Sequence, residues 1–306
     1  MKKIIINGAT GMIGLNLTKY ALNNGIEVLA IIRENSNKKE LFPKNEKLKV
    51  VECDLENINK LEILDNYDVF YHLAWAGTFG EDRNNVYMQN LNIRYALDSV
   101  NLAKKAGCKK FIGTGSQAEY GRKEEKLGPQ TATNPETAYG VGKLCAGRLT
   151  NIFAKKLEIE HIWTRILSVY GPYDNEKTMI MSSIKEMMHN QNSPEYTKAE
   201  QLWDYIYVED VAKALYLIGE KGKNNSIYCI GSGNAKPLYS YIEEIRNQIN
   251  KSIEIKLGAR AYEQNQVMYL CADIENLTKD TGFVPKIDFE EGIKRTINWY
   301  KRRNEK

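Results

Sequence analysis

A glycine loop is the feature that most restricts what this chain can become. Residues 3–6 form a short apolar run. Straight after it comes Asn7-Gly8-Ala9-Thr10-Gly11-Met12-Ile13-Gly14, with the pattern G-x-x-G-x-x-G, leading into an amphipathic stretch over 12–23. Strand, glycine turn and helix in that order make an anion cradle. A Cβ in the turn would block the sharp reversal and the approach of backbone to a pyrophosphate, while the helix N-terminus offers N–H groups and a positive dipole end. Gly8, Thr10, Gly11, Met12, Ile13 and Gly14 are therefore expected to line a dinucleotide-phosphate site.

The hydrophobic pattern downstream supports this. Short apolar runs at 28–32, 48–51, 69–73 and 110–112 suit strands buried on both faces. Between and after them lie helical patterns at 58–64, 85–106 and 139–156. The repeated strand–helix order predicts an α/β fold with a doubly wound parallel sheet of the Rossmann kind. A further strand over 161–166 ends at Val169-Tyr170-Gly171-Pro172, where Gly-Pro marks a lobe boundary. Residues 1–170 are then a dinucleotide-binding domain, and 171–306 mainly a smaller α/β substrate lobe. In that lobe the pattern predicts helices at 179–190, 208–219, 238–250 and 287–301, with short strands near Ile206 and at 227–230. Whether those strands join the first sheet or stand apart is open at this level.

Composition excludes several function classes. Of 306 residues, 27% are charged and 42% hydrophobic, and 43 Lys+Arg against 39 Asp+Glu leave a formal charge of +4. This is a globular balance rather than a disordered one. No run approaches the roughly 18 apolar residues of a membrane helix, and Gly8 to Gly14 interrupt any leader-like stretch. The cations form short scattered clusters such as Lys38 and Lys39 or Lys104 and Lys105, not a stripe with interleaved aromatics, so nucleic acid is not the expected partner. Five scattered cysteines without a C-x-x-C, and three scattered histidines, offer neither a disulfide framework nor a metal site. A reduced, cytoplasmic protein is the simplest expectation.

The ends of the following strands supply the rest of a cofactor crevice. Arg33 stands at the tip of the second strand, where an acidic side chain would take the ribose hydroxyls of NAD and a basic one suits the extra phosphate of NADP. Arg33 favours NADP; Glu34, one position on, keeps NAD as the alternative. Asp54 and Leu55 follow the third strand, with Asp54 placed to face an adenine amino group. His72-Leu73-Ala74-Trp75-Ala76-Gly77 follows the fourth; Leu73, Ala74 and Ala76 let backbone approach the cofactor, and His72 reads as a packed strand-end residue.

The fifth strand leaves Thr114-Gly115-Ser116-Gln117-Ala118-Glu119-Tyr120-Gly121 at its tip, and Tyr139-Gly140-Val141-Gly142-Lys143 then opens a helix. Tyr139 and Lys143, at i and i+4, share one helical face. A phenol titrates near 10, and lowering that by about three units takes roughly 4 kcal/mol, which a neighbouring ammonium and a cationic nicotinamide ring can provide. Ser116 can hold a substrate oxygen while Tyr139 moves the proton.

These residues resemble the extended short-chain dehydrogenases/reductases, the group of nucleotide-sugar epimerases, dehydratases and reductases. The resemblance rests on the glycine loop, Asp54-Leu55, His72-Leu73-Ala74, Ser116 with Tyr120-Gly121, Tyr139-x-x-x-Lys143, Tyr170-Gly171-Pro172 and Asp204-Tyr205-Ile206-Tyr207-Val208-x-Asp210. It implies Ser116, Tyr139 and Lys143 as the catalytic set, with Tyr139 and Lys143 also touching the cofactor. It further implies a nucleotide-sugar substrate held by the second lobe, and a homodimer built on the long helices after Asn85 and Tyr139.

Departures narrow the expectation. Dehydratases carry Thr-Asp-Glu where this chain has Ser116-Gln117-Ala118, and Glu119 sits one position too far; 3,5-epimerising relatives use a cysteine that is lacking near Ser116. Ser168 replaces a usual Asn, and Trp203 replaces the Arg that grips the substrate phosphates, leaving Lys198 or Arg260 for that task. Ser116, Gln117, Ser168, Trp203, Arg260 and Gln266 are the candidate substrate contacts. Because Arg33 speaks for NADP, the expected activity is NADPH-dependent reduction of the 4-keto group of a nucleotide-activated 4-keto-6-deoxy sugar. The alternatives are an NAD-dependent nucleotide-sugar epimerase and, in another class, a non-catalytic NADP-sensing or scaffold protein.

Overall fold

The first strand, β1 (Lys3–Asn7), is fully apolar from Ile4 to Ile6, and all three side chains are completely buried. Ile4 and Ile6 enter one core layer and Ile5 the opposite one, so the strand is covered on both faces. The computed structural model describes residues 1–189 and 194–304. After β1 the chain alternates: α1 (Met12–Asn23), β2 (Glu27–Ile32), β3 (Leu48–Glu52), β4 (Val69–His72), α2 (Val86–Lys105), β5 (Lys110–Ser116), α3 (Ala138–Lys156) and β6 (Glu160–Ile166). Next come β7 (Ser168–Tyr170), α4 (Met179–His189), β8 (Leu202–Trp203), β9 (Tyr205–Tyr207), α5 (Val208–Lys221) and β10 (Ile227–Ile230). The chain ends with β11 (Lys236–Pro237), α6 (Leu238–Ile249), β12 (Tyr269–Leu270), α7 (Glu275–Thr281) and α8 (Phe289–Asn304).

Seven strands form one parallel sheet in the order β10-β6-β5-β4-β1-β2-β3, flanked by helices in a Rossmann-like arrangement. The order reverses between β1 and β4. That switch point is where a crevice opens at the carboxyl ends of the strands. The seventh strand, β10, comes from beyond Gly171 and pairs with β6, so the first sheet recruits chain from the second half. A separate core of Ile180, Met181, Ile184, Ile242, Ile245 and Ile293 joins α4, α6 and α8. Between the two cores, β7 pairs with β9, and β8 pairs with β11 and β12.

Three expectations change. The helical pattern at 58–64 is a 3₁₀ turn over Leu55–Lys60 instead. Ile58 is fully buried there, but Leu61 and Ile63 pack only partly against the core and Leu64 is 96% exposed, too little buried apolar surface to hold a longer helix. Strand β3 is the sheet edge and is half-buried, not covered on both faces. Helix α7 was not anticipated; its Leu277 packs into the main core. Asn190, at the end of the expected 179–190 helix, lies outside the described residues.

Candidate active site

The glycine loop owes its shape to contacts within the protein at two positions and to open space at the third. Gly8 has φ +83°, and a Cβ there would come within 2.7 Å of the Ala74 backbone nitrogen. A Cβ on Gly14 would overlap the Gly8 carbonyl. Gly11 is different: it is exposed, and a Cβ would meet only the Gly8 oxygen, at 3.4 Å. Its lack of a side chain therefore leaves room above the loop, where α1 begins without a side-chain cap and without an acidic residue in its first turn. This is a cradle suited to an anion. Thr10, Met12 and Ile13 are half-buried around it.

Across the switch point, α2 holds the other wall. The Asn92 side chain accepts from the Ala76 N–H (2.9 Å) and donates to the Ala76 carbonyl (2.8 Å). Gln89 donates to the Gly77 carbonyl and accepts from the Trp75 indole, both at 2.8 Å. Leu73 and Ala74 thus follow β4 on a fixed path beside Gly8. Asn92 and Gln89 were not anticipated. Their signal was two amide side chains at i and i+3 on a face that the helix otherwise buries. At the far end Arg33 lies one residue beyond β2, exposed and with no ion-pair partner among the described residues. Asp54 stands beside it and accepts from the Glu34 N–H (3.2 Å), and Leu55 opens the 3₁₀ turn behind. His72 is buried, and burial pushes its imidazole down to about 3, so it stays neutral and packed.

Helix α3 places the proposed acid–base pair. Thr137 caps it by accepting from the Gly140 N–H (3.1 Å). Any Cβ on Gly140 would overlap the Ala118 carbonyl, so glycine lets the helix start press against the end of β5. Tyr139 and Lys143 are accordingly almost buried, as is Ser116 at the end of β5. The Lys143 ammonium donates to the Thr114 carbonyl at 2.7 Å, and sits 3.9 Å from the Trp75 ring centroid and 5.8 Å from that of Tyr139. Burial lowers its pKa to about 7, with Glu119 opposing. Burial raises the Tyr139 phenol, while hydrogen bonding with Ser116 and the Arg83 guanidinium, 4.4 Å from the ring centroid, pull it down. The influences that bring the phenol toward its ionised form thus include Arg83, which no sequence motif marked.

The substrate candidates gather next to this edge. Ile166 pairs with Ser116 across β5 and β6, and Ser168 follows two residues on. Its hydroxyl accepts from the Trp203 indole at 2.8 Å, so the two departures from the family pattern are bonded to each other. Trp203, Arg260 and Gln266 line one cavity of about 300 Å³, with Tyr196, Gln201 and Tyr205. Lys198 is exposed and does not line it, which leaves Arg260 as the cation facing that space. Gln117 lies half-buried on the turn after Ser116. Among the described residues no cluster of His, Cys, Asp or Glu could hold a metal ion, and no helix is long and apolar enough to cross a membrane.

Comparison with known proteins gives consistent findings. A model of the NAD dependent epimerase/dehydratase family matches residues 4–231. A putative UDP-glucose 4-epimerase from Methanocaldococcus jannaschii is 26% identical over 313 residues, spanning 98% of this chain and 99% of that protein. A dTDP-glucose 4,6-dehydratase from Shigella flexneri is 28% identical, but over only 56% of this chain and 49% of its own. Among solved structures, a UDP-N-acetylglucosamine 4-epimerase from Methanobrevibacter ruminantium, in complex with UDP-N-acetylmuramic acid, superposes with a TM-score of 0.88. It is 25% identical and covers 99% of both chains.

Proposed function

Because this chain belongs to the NAD dependent epimerase/dehydratase family, we propose that it inverts the C4 hydroxyl of a nucleotide-activated sugar and retains its nicotinamide cofactor throughout the cycle. This replaces 4-ketoreduction as the leading reading. The observation that carries it is that relatives matched over nearly the full length of both chains are named as 4-epimerases, whereas the curated dehydratases match about half of this chain or, as one part of a trifunctional protein, about half of their own length. The site also speaks against dehydration. Glu119, the carboxylate nearest to the missing acid pair, is fully buried and bonded to Arg165 at 2.7 Å, so it cannot serve as a proton carrier toward the cavity.

The residues fit a dinucleotide. The cradle over Gly11 and the α1 N-terminus would take its phosphates, Asp54 and Leu55 its adenosine end, and Leu73, Ala74 and Ala76 its middle. A nicotinamide held there would supply the hydride acceptor and donor for C4. Ser116 donates a hydrogen bond to the sugar O4, and Tyr139 takes the O4 proton and returns it. Lys143 holds the nicotinamide ribose, and its charge adds to that of Arg83 in favouring phenolate. Inversion requires the oxidised sugar to present its other face between those two proton transfers. The nucleotide end rests in the cavity of Trp203, Arg260 and Gln266, where Arg260 meets phosphate.

NADPH-dependent ketoreduction remains a second reading on one observation: Arg33 is exposed and unpaired among the described residues at the place where a 2′-phosphate would lie. Denaturing the purified protein and identifying the released cofactor tests the choice. Stoichiometric NAD supports the epimerase, and a protein that comes without cofactor and oxidises NADPH with a 4-keto sugar supports the reductase.

A further inference from the structure

Glu119 is a charge where the fold has no evident need of one. It ends the 3₁₀ turn Gln117–Glu119 and its side chain is completely buried. Its Oε1 accepts from the Ser116 N–H (2.9 Å) and from the Trp163 indole (3.0 Å), and its Oε2 accepts from Arg165 Nε (2.7 Å). Arg165 is only 2% exposed, with its guanidinium 4.5 Å from the Tyr120 ring centroid. Taking two such charges out of water costs several kcal/mol per ion, and well-packed apolar residues are often as stable. Stability alone therefore does not account for the pair.

What the pair holds is the catalytic end of β5. The Ser116 hydroxyl accepts from the Ala118 N–H (3.2 Å) while Glu119 reaches back to the Ser116 N–H, a reciprocal capping box around one peptide. One lone pair of Ser116 Oγ is thereby committed, which leaves its O–H free to point away from the turn, toward Tyr139. The strand end is shaped around the carboxylate as well: a Cβ on Gly115 would overlap Glu119 Oε1 and the Trp163 indole nitrogen.

We propose that Glu119 is a positioning residue for Ser116, clamping its peptide so that the hydroxyl points at the reacting oxygen, with Arg165 as the counter-ion that fixes the carboxylate. The proposal rests on Ser116 belonging to the catalytic set. A double-mutant cycle on the cofactor-loaded protein tests it, reading C4 interconversion of UDP-sugars. Glu119→Gln keeps the side-chain shape, and is expected to lower kcat by about ten- to a hundredfold with KM within about twofold. In a Ser116→Ala background the same substitution should cost less than about twofold further, because the group it positions is gone. Equal losses in both backgrounds, or full kcat in Glu119→Gln, would overturn the proposal. If Glu119→Gln melts early or loses bound cofactor, Arg165→Lys takes its place in the cycle, with the same serine-dependent loss expected. A crystal structure of the surviving variant gives an arm independent of substrate: Ser116 Oγ should have left its Ala118 N–H contact, and an unmoved hydroxyl refutes the clamp. Failure of the unsubstituted protein to interconvert any sugar counts against the proposed function instead, and the crystallographic arm then decides on Glu119.

Discussion

Tyr139 and Lys143 lie one helical turn apart, yet burial acts on them in opposite senses, raising the phenol and lowering the ammonium. The phenol is thus a resting acid that needs Ser116, Arg83 and a bound cation to become a base. Tyr139→Phe should cut turnover by at least about a hundredfold while the protein still purifies with cofactor; a variant that turns over normally would remove Tyr139 from the mechanism. Lys143 gives a pH prediction for the cofactor-free protein. Its folded pKa of about 7 lies below the ordinary 10.5, so the unfolded chain binds more protons between those values and stability rises with pH there. The cost of burying the charge is full below about pH 7 and relieved toward pH 10, at about 1.4 kcal/mol per pKa unit. The melting temperature of Lys143→Met minus that of the unsubstituted protein should therefore fall over that range; a flat difference would contradict the assignment. That Tyr139 and Lys143 share one helical face was legible because their i, i+4 spacing is local. Arg165 and Glu119 were not, since they are 46 positions apart and meet only when β5 and β6 pair.

Elements place these side chains through close approaches that only glycine permits. The start of α3 touches the turn after β5 at Gly140 and Ala118, so the distance from Tyr139 to Ser116 is set by one missing Cβ. Gly140→Ala should force the helix off by part of an ångström, costing about 1–3 kcal/mol of stability and more activity than that loss of fold explains. Melting temperature and kcat measured together check this, and a variant with kcat within twofold would show that α3 has slack. At this scale the sheet was readable from alternating apolar runs. The segment at 58–64 was not, because a short apolar pattern does not reveal that only Ile58 is fully buried while Leu61 and Ile63 stay partly exposed. The strand β10 was visible as a strand, but its pairing with β6 depends on tertiary packing rather than on local pattern.

At the scale of the whole molecule, two cores meet at the carboxyl edge of one sheet, and the proposed catalytic set, the glycine cradle and the Trp203 cavity all lie there. On the opposite flank of the sheet, α2 and α3 expose Val86, Leu91, Val141, Leu149 and Ile152, an apolar stripe suited to a second copy of the chain. If this surface seats the homodimer expected from the sequence, Leu149→Glu with Ile152→Glu should lower the sedimentation coefficient relative to the unsubstituted protein; an unchanged coefficient would contradict that interface. C4 epimerisation with a retained nicotinamide is tested on the protein as purified, with no cofactor added. Nuclear magnetic resonance follows C4 of UDP-glucose, UDP-N-acetylglucosamine and UDP-glucuronic acid, while absorbance follows the nicotinamide. At least one sugar should run to a mixture of C4 epimers with no net change in reduced nicotinamide. No interconversion, together with stoichiometric NADPH oxidation by a nucleotide 4-keto sugar, would contradict C4 epimerisation.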